Sequence, residues 1–152
     1  MVGKKAWLLV ILVIFFLTLC VTLQSDAGGP PLPNDINIIP PAADVPKDIA
    51  AFSGKWVGAF DYGLELILIV EEIHDTWGNV VFSRGDYKSY SVDAAFLRTR
   101  CKVISGPKAK IHVDTSKLTR GGDLYFELKD LNTLEIIRAG DPPLKGSLKR
   151  SN

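Results

Sequence analysis

From residue 55 to residue 149 the chain divides into eight short segments of alternating polarity, and no long helix is available between them for a parallel crossover. The segments are 55–62, 64–73, 80–84, 97–104, 108–114, 124–129, 133–138 and 144–149. Glycine, proline, asparagine and aspartate punctuate them at spacings near the roughly 8–12 residues of a sandwich or barrel. The pattern predicts an all-β domain, an antiparallel up-and-down β-barrel of about eight short strands, because closure removes exposed strand edges.

Period-two alternation assigns the faces. Trp56, Gly58 and Phe60 share the inner face of the first segment, and Leu64, Leu66, Leu68 and Val70 that of the second. Thr99, Cys101 and Val103 point inward from the fourth, Ala109, Ile111 and Val113 from the fifth, and Leu124, Phe126 and Leu128 from the sixth. The second segment is partly apolar on its outer face as well, through Ile67 and Ile69. Residues 85–96 lack clear periodicity and read as a longer loop with a short helix.

Ahead of the barrel, Lys4 and Lys5 precede an 18-residue run without charge at residues 6–23. Residues 1–27 therefore read either as a secretory signal cleaved after Ala27 or as a retained transmembrane anchor. In both cases the lysines stay on the cytoplasmic side and the domain is exported, periplasmic, extracellular or membrane-anchored. Residues 17–20 bear only a faint likeness to a lipidation motif at Cys20, with Leu19 where a small residue belongs. Residues 28–51 carry prolines 30, 31, 33, 40, 41 and 46 and read as an extended linker ending in a short helical turn. Residues 52–150 form the barrel domain.

FSGKWVG at residues 52–58 resembles the opening of lipocalin-like and fatty-acid-binding-like barrels, the calycin group, in which a G-x-W element marks the first strand. LKGSLKR at 144–150 is similar to the closing strand of short lipocalin-like domains in exported bacterial proteins. The resemblance implies a noncatalytic barrel that binds a small apolar or amphipathic ligand, with Trp56, Phe60 and Phe126 burying it and a basic residue near the mouth meeting an anionic head. Trp56 equally suits a plug at one end of a barrel filled by its own side chains.

Charge narrows the partners. Of 18 basic and 17 acidic residues, two and one precede residue 28, which leaves 16 of each and a domain of zero formal charge. That balance argues against nucleic acid. One local feature stands out, since no acidic residue lies between Ala94 and Val113. Arg98, Arg100, Lys102, Lys108 and Lys110 then share one outer face if their strands pair, a stripe suited to an envelope protein or an anionic surface. The same stripe suits a solvated strand face.

No nucleophile elbow or phosphate-binding glycine loop occurs, and no cofactor or metal is expected. Glu71, Glu72, His74 and Asp75 cluster in sequence, but neighbouring strand residues diverge and a polar hairpin end is the expectation. Cys101 has no expected disulfide partner and reads as a small buried hydrophobe.

Overall fold

The computed structural model describes residues 28–152, so the signal-or-anchor segment and Cys20 lie outside the described residues. Within them eight strands follow one another around a closed barrel: β1 (Gly54–Phe60), β2 (Glu65–Ile73), β3 (Trp77–Arg84), β4 (Ala95–Ile104), β5 (Lys110–Asp114), β6 (Asp123–Asp130), β7 (Thr133–Arg138) and β8 (Leu144–Ser151). Each strand pairs antiparallel with its sequence neighbours, and β8 returns to β1 with Trp56 opposite Arg150 and Phe60 opposite Gly146. One helical turn, α1 (Lys47–Ala50), precedes β1, and a 3-10 turn (Lys88–Tyr90) occupies the β3–β4 loop. Among the described residues no helix is long and apolar enough to cross a membrane.

The inner faces supply one continuous core, including Trp56, Leu66, Leu68, Ile111, Phe126, Leu134, Ile136 and Leu148. Closing the seam demands residues without side chains. A Cβ on Gly58 would sit 2.8 Å from Leu148 Cα, and one on Gly146 would sit 2.7 Å from Phe60 Cα, so β1 and β8 approach too closely for alanine at either position.

Two register shifts depart from simple alternation. In β2 the irregularity falls between Val70 and Glu72, so Ile73 rather than Glu72 joins the core. Glu71 and Glu72 are both diverted from the interior, which corrects the expectation that they face opposite ways. They still do not converge, because Glu71 meets Arg98 and Glu72 meets His74. A second shift separates Leu128 from Asp130 in β6.

The proline-rich segment 28–46 lacks a helix or strand but lies along the wall as a strap. The Ile39 amide donates to Glu71 O at 2.7 Å, and the Ser83 hydroxyl donates to Pro31 O. Arg98 fastens the strap by two hydrogen bonds to the Asp35 carboxylate, at 2.8 and 3.0 Å, while also reaching both oxygens of Glu71. Ile69 and Val81, opposite each other in β2 and β3, point away from the core yet are fully buried there. The partly apolar outer face of β2 thus has a cover. Proline suits this cover, since segments that do not join the sheet need few amide donors.

Candidate functional site

The two ends of the barrel differ in kind. At the end where the chain enters β1 and leaves β8, Trp56 is completely buried and donates its indole N–H to Phe52 O at 2.8 Å. Arg150 lies over the indole, 4.1 Å from the ring centroid, and donates to the carbonyls of Ala51, Ser53 and Leu131 at 2.7–3.0 Å. Ile49 of α1 and Phe52 complete this seal. Burial lowers the pKa of Arg150 from its ordinary value.

The other end gathers the β1–β2, β3–β4, β5–β6 and β7–β8 connections, as up-and-down topology requires. Here a cavity of about 190 Å³ opens. Phe60, Leu64, Leu66, Phe82 and Leu124 form its apolar floor. Tyr62, Tyr90, Arg84, Arg120 and Arg138 contribute its polar rim. Tyr62 is the hub of an aromatic wall, stacked on Phe60 at 5.4 Å between ring centroids and edge-on to Tyr87 at 5.3 Å. Tyr90 stacks on Tyr87 in turn, at 5.4 Å. A reciprocal pair of backbone hydrogen bonds between Tyr87 and Val92 holds that loop in place.

The arginines of the rim are placed by strand parity. Arg84 ends β3 opposite the inward Leu66, and Arg138 ends β7 opposite the inward Leu124. Arg84 is only 5% exposed, and among the described residues its side chain makes one hydrogen bond, from Nε to Asp93 O at 3.2 Å. Arg138 donates from Nη2 to Gly121 O at 3.1 Å. Arg120 stands in the β5–β6 loop with a left-handed backbone, φ 57°. Among the described residues none of the three forms an ion pair, and no carboxylate lines the cavity.

These charges act on one another. Desolvation is the main cause that lowers the pKa of Arg84, with the nearby positive charge of Arg138 acting in the same sense and Asp93 opposing. Burial raises the pKa of Tyr62, partly offset by Arg138 and Arg84, so its phenol stays neutral and able to donate.

Of the residues singled out for ligand contact, Phe60 lines the cavity. Trp56 seals the opposite end and Phe126 is buried in the barrel between Ile111 and Ile136, so neither lines it. The basic stripe is largely engaged. Arg98 pairs with Asp35 and Glu71, while Lys108 and Lys110 each reach Glu127 at 3.0 Å. Arg100 covers the Trp77 ring at 4.4 Å, which leaves Lys102 without an ion-pair partner among the described residues.

The remaining candidates for chemistry lie apart from the cavity. His74 stacks on Trp77 and bonds Glu72 at 2.9 Å, and His112 stacks on Tyr125 and bonds Asp123 at 2.7 Å. Cys101 is buried beside Gly78, and desolvation pushes its thiol up to about 11. Among the described residues no cluster of three metal-ligating side chains is present. No protein-family model matches the chain, and no curated protein matches it.

Proposed function

We propose that this chain is an exported, noncatalytic, lipocalin-like barrel that binds a small apolar or amphipathic molecule in the cavity at its open end. The observation that carries the reading is the asymmetry of the barrel. One end is sealed by Trp56, Phe52 and Arg150, whereas the other holds a concave apolar floor under a few convergent polar groups. That combination is the usual form of a small-molecule site. A docking role for the basic outer face has less support, since Asp35, Glu71 and Glu127 already neutralise three of its five cations.

Small ligands gain about 0.5–1 kcal/mol per non-hydrogen atom, which places an eight-atom molecule between roughly millimolar and micromolar affinity. Ligand-observed NMR and titration calorimetry cover that range. Tryptophan emission is a poor readout, because Trp56 sits in the sealed end and Trp77 on the outer wall. A panel of short aliphatic probes should bind saturably to the purified protein, and Leu124→Trp, which fills the floor, should abolish that binding while the barrel stays folded. Absence of saturable binding by any probe in the wild type would reject the proposal.

A further inference from the structure

We infer that the molecule held in this cavity is a short-chain amphipathic anion, with its head at Arg84, Arg120 and Arg138 and its tail on Phe60 and Leu124. The inference rests on the reading of the cavity as a binding site and adds the chemical class of the ligand.

Three observations converge. First, three arginines line a cavity that no Asp or Glu lines, and none of them has an ion-pair partner among the described residues. Each guanidinium has five N–H donors, yet Arg84 and Arg138 each place one hydrogen bond on a backbone carbonyl. The remaining donors suit a carboxylate, sulfonate or phosphate, which guanidinium recognises by paired hydrogen bonds.

Second, the rim carries an electrostatic cost that an anion would offset. Arg84 is taken out of water at 5% exposure, and the charge of Asp93, with which it forms no ion pair, offsets that burial only in part. A buried cation without a counter-charge is unfavourable. In Arg98, by contrast, a cation on the outer wall is matched by two carboxylates. At the interior rim three arginines gather around one cavity without an ion pair among the described residues.

Third, the volume limits the tail. A cavity of about 190 Å³ holds about six groups the size of a water molecule at about 30 Å³ each. Trp56 and Phe52 close the far end, so a longer tail cannot thread through the barrel. A six-carbon chain fits the floor, whereas a sixteen-carbon chain would leave most of its length in solvent.

Calorimetric titration of the purified protein with hexanoate, hexyl phosphate, hexanol and hexadecanoate tests this. One or both six-carbon anions should bind about tenfold or more tightly than hexanol, the difference expected for charge-assisted hydrogen bonds. Arg120→Gln, in an exposed loop, should weaken the anion severalfold and leave hexanol unchanged. Arg138→Gln should do the same, with its thermal unfolding recorded to confirm the fold. If hexanol binds as tightly as the anions, or hexadecanoate more tightly than hexanoate, the assignment of a short anion is overturned while the cavity reading stands. If none of the four probes binds, both fall together.

Discussion

Arg150 lies face-on over Trp56 with its guanidinium carbon 4.1 Å from the indole centroid, and both residues point into the barrel from directly paired positions on β8 and β1. The arginine also ties three carbonyls from two chain segments, before β1 and between β6 and β7. Its replacement should therefore loosen the base of the barrel as a unit. Arg150→Met should cost about 2–3 kcal/mol, from lost charged hydrogen bonds and the cation–π contact. Urea unfolding measures this, and a change within about 0.5 kcal/mol would show that Trp56 and Phe52 close the base without it.

The strap should respond to acid. Asp35 has its pKa lowered below the ordinary 3.8, with the Arg98 hydrogen bond the largest cause. A depressed carboxylate contributes stability that is present above its unfolded pKa and lost as pH falls through the folded value. Strap protection is thus complete at neutral pH and declines only below 3.8. Hydrogen exchange at the Ile39 amide, bonded to Glu71 O, should be faster in Asp35→Asn than in wild type at pH 7. The two proteins should converge below the depressed pKa. Equal exchange at pH 7 would separate the strap from the Asp35–Arg98 pair.

The seam between β1 and β8 should reject the smallest side chain. Gly146→Ala places a methyl group against backbone atoms of β1, 2.7 Å from Phe60 Cα, and these cannot rotate away. Overpacking of this kind costs about 1–3 kcal/mol or more. Denaturant midpoints should show this loss for Gly146→Ala and Gly58→Ala alike. A control at Gly28, where an added Cβ meets nothing within 4 Å, should be neutral.

Cys101 should be chemically silent in the native protein. Cys101 is 2% exposed and burial pushes its thiol pKa up to about 11, so thiolate is scarce at pH 8. Iodoacetamide should leave the Cys101 peptide unmodified for hours in buffer and modify it within minutes in denaturant. Rapid native labelling would reveal opening of the barrel wall next to Gly78.

Much of this architecture was written locally. The eight segments alternate strongly enough to expose strand order and inner face, and residues 133–138 coincide with β7. The open-end arginines were legible by the same rule: Arg84 follows Val80 and Phe82 in parity, and Arg138 follows Leu134 and Ile136. In an up-and-down barrel the ends of odd-numbered strands meet at one rim, so parity and topology together point to both residues. Arg120 offered no such signal, because it lies in a loop whose path depends on the strands it connects. The bulge after Val70 was also hidden, since one extra residue changes the face of Glu72 and Ile73 without changing composition.

The sequence by itself determined the fold class and the inward set outside the bulge after Val70, because strand alternation and turn chemistry act over a few residues. Tertiary structure decided which end is closed, which charges are neutralised and where a ligand fits. The basic stripe looked free because no acidic residue lies between Ala94 and Val113. The pairing of β5 with β6 sets Glu127 opposite Lys110 and within reach of Lys108, and the strap brings Asp35 to Arg98. Charge pairing depends on distance in space, and strand register and the path of the strap set those distances.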